Sequence, residues 1–114
     1  MTDIDRKQIR ETFISLIDHL ADKEYQRRAW LKGEEADFDE AVCLFFDIGD
    51  PILENYKDFG ISETQYKLLI KLRDEFQAFA DENDFPEMFI DTPEWAKIMD
   101  SAKEVLKAFN YPYN

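Results

Sequence analysis

The sequence predicts an all-α fold: a compact, single-domain bundle of four main helices plus one or two short helices, spanning residues 1–114. Three observations carry this expectation. Apolar residues recur at helical spacing along most of the chain. Only three glycines and four prolines punctuate the 114 residues, and most stand where a helix should start or stop. No apolar run elsewhere offers the partner that a β-strand would need. With 45% hydrophobic and 15% aromatic residues the chain has material for one core, whereas a disordered acidic chain would be poor in aromatics.

In the first segment Ile9, Phe13, Leu16, Ile17 and Leu20 share one helical face, and Thr2 with Asp5 three residues on forms a capping box. This helix runs to about Ala21. A second helix, or a bent continuation, covers Lys23 to Lys32, with Tyr25 and Ala29 inward and Trp30 a further candidate for that face; Gly33 stops it. Asp37 and Glu40 read as a second capping box, opening a helix from Phe38 to about Asp47 whose inward stripe is Phe38, Ala41, Val42 and Phe45. The unbroken run from Ala41 to Phe46 also has the form of a buried strand, and periodicity alone does not separate the two. The missing partner strand favours the helix.

Gly49 is expected to close that helix. Asp50-Pro51 then reads as an N-cap followed by proline at the first helical position, starting a short helix from Ile52 to Lys57 that Gly60 ends. Ser62 and Gln65 cap a long helix from Glu63 to about Glu82, with Leu69, Leu72, Phe76 and Phe79 inward. The segment Asn83-Asp84-Phe85-Pro86 breaks the chain. Thr92-Pro93 starts the last helix, which runs to about Phe109 with Trp95, Ile98, Met99, Ala102, Val105, Leu106 and Phe109 on one face.

Catalytic and metal-binding patterns are sparse, so no catalytic, cofactor or metal site is expected. The one histidine, His19, lies near Asp18 and Asp22, but zinc needs three or four strong ligands, and the one histidine and one cysteine are far apart. His19 reads as a surface or boundary residue. Ser15, Ser62 and Ser101 lack a nucleophile-elbow pattern. Neither Asp37-Phe38-Asp39 nor Asp47-Ile48-Gly49-Asp50 continues as an EF-hand loop. Cys43, inside an apolar run and without basic flanks, reads as a buried structural thiol. A lone cysteine, a polar N-terminal segment and no long apolar run together read as a soluble cytoplasmic chain without signal peptide or membrane span.

Charge is the most informative property. The chain carries 26 acids and 14 bases, a net charge of −12, which opposes direct binding to nucleic acid or to anionic membranes. The excess is blocked, not spread. Residues 34–58 and 74–100 each hold nine acids and one base, and the remainder is net +4. Acids at helix starts complement the macrodipole and account for part of this. A solvated acidic surface that aids solubility is the plain reading; an electronegative face that steers a basic protein partner is the functional one. Large apolar groups interleave with the acids: Trp30, Phe38, Phe46, Phe59, Phe85, Met88, Phe89, Tyr111 and Tyr113. Aromatic anchors within a charged rim are typical of protein-binding hot spots.

The stretch Glu24-Tyr25-Gln26-Arg27-Arg28-Ala29-Trp30-Leu31-Lys32-Gly33, the segment Phe38–Asp47, Pro51-Ile52-Leu53 and Asp91-Thr92-Pro93-Glu94-Trp95 with its helix cover about two thirds of the chain. Together they resemble the immunity proteins of contact-dependent growth inhibition and related polymorphic toxin systems of bacteria. That resemblance implies a cytoplasmic, non-enzymatic inhibitor, a monomer rather than an oligomer, that binds one cognate protein toxin, frequently a basic nuclease domain. On this reading the interface charges are Asp37, Asp39, Glu40, Asp47 and Asp50, with Trp30 or Phe38 as an anchor. Arg28 and Trp30 have a structural alternative, with Arg28 paired to an acid such as Asp47. The competing functional readings are an acidic helical adaptor of another cytosolic protein, and an enzyme built around His19 or clustered carboxylates.

Overall fold

A computed structural model describes residues 2–33 and 37–111. Its elements are α1 (Asp3–Ala21), α2 (Lys23–Gln26), a π-helical segment (Arg27–Leu31), α3 (Phe38–Glu54), α4 (Glu63–Glu82), α5 (Pro86–Phe89) and α6 (Pro93–Ala108). No strand occurs among the described residues, and 41–46 is helical. The fold is all-α.

The termini of these helices follow the local chemistry of the sequence. Thr2 and Ser62 each close a reciprocal capping box, with Asp5 and Gln65 as the returning side chains. Asp37 accepts from the Glu40 backbone N–H at 2.8 Å, which is half of the expected box. Thr92 accepts from the Trp95 N–H, ahead of Pro93. The last helix ends on Asn110 with φ 56°, a left-handed residue that Asn tolerates. Around it the Tyr111 N–H donates to the Leu106 carbonyl and the Asn110 N–H to the Lys107 carbonyl, the paired bonds of a Schellman stop.

One core joins the helices. α6 lies against both α1 and α4, and α3 packs on α1 and touches α4. From α6 it takes Trp95, Ile98, Met99, Ala102, Val105 and Leu106, all buried as the sequence predicts, with Phe109 just beyond. Phe13, Ile14, Ile17 and Leu20 enter from α1, and Leu69, Leu72 and Phe76 from α4. α4 and α6 are further tied by Gln65 donating to the Ala108 carbonyl at 3.0 Å and Ser101 donating to Glu75 at 2.9 Å. Where α1 meets α2, the fully buried Gln26 donates to the His19 and Leu20 carbonyls and accepts from the Trp95 indole N–H.

α3 departs from the expected pair of helices. It does not stop at Asp47 and restart at Asp50-Pro51; it runs unbroken to Glu54 with Pro51 inside it. The inward stripe begun by Phe38 and Phe45 continues through Gly49, Ile52 and Leu53, so burial favours continuation. Pro51 stands in the last turns on the exposed side, where an unmatched carbonyl is open to water. Gly49 belongs inside the helix because a Cβ there would meet the Phe13 ring at 2.7 Å.

Trp30 and Phe38 lie inward, as the helical stripe places Phe38, and so do not fit the alternative role of surface anchors. Trp30 is 7% exposed and Phe38 3%. The π-helical turn brings both Ala29 and Trp30 inward. Trp30 then meets Phe38 edge-on at 5.1 Å and Trp95 at 5.7 Å, while Phe38 meets Phe89 at 4.9 Å. Their apolar area serves the core. Cys43 is the converse case. Helical periodicity turns Phe45 inward and leaves Cys43 and Leu44 outside, so the thiol is exposed.

Candidate functional site

The predicted interface charges fall on α3 and divide into two groups. Asp37, Asp39, Glu40 and Asp47 are exposed. Asp39 and Glu40 occupy the first helical turn, where the macrodipole favours acids. Asp47 lies seven residues beyond Glu40, so two helical turns (~10 Å) separate them along the same outward face, with Cys43 and Leu44 between. These four residues form an acidic stripe with no large aromatic on it.

Asp50 is not part of that stripe. It faces α4, where Arg73 grips it through Nε at 2.7 Å and Nη2 at 3.4 Å. The hydrogen bond to Asp50 is the main cause that raises the Arg73 pKa above its ordinary value, against a smaller opposing effect of burial. A carboxylate held in two bonds by one guanidinium is largely neutralised. The expected pairing of Asp47 with Arg28 is absent among the described residues; the ion pair of this region is Asp50–Arg73. Glu34 and Glu35 lie outside the described residues.

The second acidic block, 74–100, is placed around a bend. α4 ends at Glu82, α5 forms a single turn, and α6 starts at Pro93. Lys23 clamps this bend to α2 by donating to the Ile90 carbonyl at 2.6 Å, and both Lys23 and Arg27 reach Asp91, at 3.4 and 3.1 Å. The bond from Lys23, then that from Arg27, holds the Asp91 carboxyl below its ordinary value of 3.8. A lowered folded-state value stabilises the fold above the ordinary value, and the effect is lost as pH falls through the lowered one. The melting temperature of Asp91→Asn should therefore fall below that of the parent near pH ~6, and the gap should close as pH falls below the ordinary value and through the lowered one. A gap that is unchanged across that range would refute the assignment.

Beside the clamp, Glu82, Asp84, Glu87 and Glu94 are exposed, and none has an ion-pair partner among the described residues. Phe85 and Met88 project here at 59% and 76% exposure. They lie outside the periodic stripes, so the helical pattern gave them no inward place. Of the other interleaved apolar groups, Phe59 and Phe89 are buried and Phe46 and Tyr111 half-buried; Tyr113 lies outside the described residues. A groove of about 520 Å³ runs between α4, α5 and α6, with Phe79, Glu82, Met88, Glu94, Lys97 and Ile98 in its lining. Sequence counting found the acidic block but not this concavity, which needs α4 and α6 side by side.

His19 is half-buried and its ring stacks on Tyr25 at 3.7 Å. The recess beside it is small, about 150 Å³, and lined mainly by Leu16, Leu20, Ala41, Leu44 and Phe45. No group of three or more metal-ligating side chains converges among the described residues, and no described helix is long and apolar enough to cross a membrane. No family model, curated protein or solved structure matches this chain.

Proposed function

We propose that this chain is a cytoplasmic immunity protein that binds a cognate toxin domain, of the basic nuclease type, and neutralises it. The observation that carries the reading is the segregation of the −12 charge into two −8 blocks, each holding exposed carboxylates that have no ion-pair partner among the described residues. Such a face raises the encounter rate with a basic protein and discriminates against acidic ones. Carboxylates docked on a nuclease stand where substrate phosphates would lie, and so exclude the nucleic acid.

A helical bundle suits this task, because rigid helices hold their surface charges in fixed positions before the partner arrives, which reduces the ordering needed on binding. The α3 stripe of Asp37, Asp39, Glu40 and Asp47 supplies charge along one side. The bend between α4 and α6 supplies both charge and exposed apolar surface.

The test is growth rescue. The toxin domain encoded immediately upstream is expressed in a sensitive host with and without this chain. Rescue by the parent is expected, together with loss of rescue when acids of both blocks are replaced by lysine. Rescue that survives those replacements would contradict an electrostatic interface, and an upstream neighbour without toxicity would favour the adaptor reading.

A further inference from the structure

We propose that the groove between α4, α5 and α6 is the seat of a basic, amphipathic segment of the protein partner, whose apolar side chains cover Met88 and Phe85 and whose lysines or arginines face Glu82, Asp84, Glu87 and Glu94. This rests on the reading of the chain as a binder of a basic protein, and it names the surface and the chemistry of the occupant.

The two acidic regions differ in what accompanies the charge. On the α3 stripe the expected anchors Trp30 and Phe38 are in the core, and Asp50 is held by Arg73. Beside that stripe stands Leu44, at 36% exposure, on the edge of a recess of only about 150 Å³. The bend differs. Glu82, Asp84, Glu87 and Glu94 have no ion-pair partners among the described residues, Met88, Glu82 and Glu94 line a concave surface, and Phe85 stands exposed on the same bend just outside that lining.

The composition of the groove selects among occupants. A second copy of this chain would bring another −12 charge against the same rim, which like-charge repulsion opposes. Nucleic acid and anionic lipid are opposed for the same reason. A purely cationic segment would leave the half-buried Phe79 and the exposed Met88 uncovered and would meet Lys97 within the lining. An amphipathic segment places apolar residues over Phe79 and Met88 and its charges at the rim. Methionine suits such a contact, since its unbranched, polarisable side chain adapts to the residue it meets. The clamp of Lys23 on Ile90 and Asp91 holds the α5 bend in place from behind.

The experiment is a titration of the isotope-labelled full chain with a short helical peptide of Lys and Leu. A Glu/Leu peptide of the same pattern is the control, and both are followed by NMR. The expected result is saturable shifts at the Met88 methyl and at the amides of Glu82, Phe85, Glu94 and Ile98 with the Lys/Leu peptide alone. F85A/M88A should weaken binding by about tenfold or more, as removal of a central apolar anchor does. E82K/E94K should abolish it. All four side chains are exposed, and unchanged melting curves would show that the variants fold. Shifts confined to the α3 stripe, equal binding of the Glu/Leu peptide, or no saturation would overturn the proposal. The same variants in the growth-rescue assay separate this claim from the broader one. If F85A/M88A and E82K/E94K rescue as well as the parent, the groove is wrong and immunity stands. If the parent never rescues but the Lys/Leu peptide seats at Met88, immunity is wrong and the groove stands.

Discussion

Replacing Gln26 by methionine should destabilise the fold by about 3 kcal/mol, even though methionine nearly matches glutamine in shape and prefers the interior. Gln26 is fully buried and makes three bonds with one amide. Its Nε2 donates to the carbonyls of His19 and Leu20 at 3.0 Å, and its Oε1 accepts from the Trp95 indole N–H at 2.9 Å. The amide therefore joins the end of α1, α2 and the start of α6. Methionine would leave the indole N–H in a dry site with no acceptor, and each buried group stripped of its partner costs about 1–3 kcal/mol. The His19 carbonyl is partly protected, since it also accepts from the Asp22 N–H at 3.3 Å. Urea unfolding of Gln26→Met, Trp95→Phe and the double variant isolates the bond. The double variant should be less destabilised than the sum of the singles by about 1 kcal/mol or more. Strict additivity would mean that Gln26 acts only through its volume.

Gly49→Val should also cost about 3 kcal/mol, and Gly49→Ala about 1–2 kcal/mol despite the better helix propensity of alanine. A Cβ at position 49 would stand 2.7 Å from Phe13 Cε1 and 2.8 Å from Cζ. That ring has little room to retreat, because Phe13 is 1% exposed and its ring centroid lies 5.2 Å from that of Phe45. Propensity alone would make the alanine variant more stable by about 1 kcal/mol; overpacking costs typically 1–3 kcal/mol and prevails. Pairing Gly49→Ala with Phe13→Leu removes the facing ring edge and should make the alanine substitution neutral or favourable in that background. If Gly49→Ala stabilises the parent protein, the glycine is not needed for the α1–α3 approach.

These two residues also show where the sequence was legible and where it was not. Helix starts depend on contacts within four residues, so Thr2, Asp37, Ser62 and Thr92 could be read directly. The stripe of α6 was legible because one continuous helix buries one continuous face. Gly49 and Pro51 read as boundaries because locally they are helix breakers. What holds them within α3 is the Phe13 ring on a helix far away in sequence and the burial of Ile52 and Leu53.

Burial of individual aromatics was similarly out of reach. Periodicity placed Phe38 inward, but the same residue and Trp30 also read as surface anchors, and only the π-helical turn and the Phe89–Trp95 cluster decide for the core. Phe85 and Met88 fall on no periodic stripe, and they remain outside because α5 is a single turn that buries only Pro86 and Phe89. The charge of Asp50 was visible, but its neutralisation by Arg73, 23 positions later, was not. Segment counting located both acidic blocks. Only the packing of α4 beside α6 shows the groove at the second block.

Direct capture of a toxin is the defining property of an immunity protein. The purified chain and the catalytically inactivated toxin domain encoded upstream of it are mixed, and the dissociation constant is measured at rising salt. The predicted result is a one-to-one complex tighter than ~1 μM, with an association rate that falls about tenfold or more as salt screens the acidic face. No complex at micromolar concentration, or one whose association rate is indifferent to salt, would contradict it.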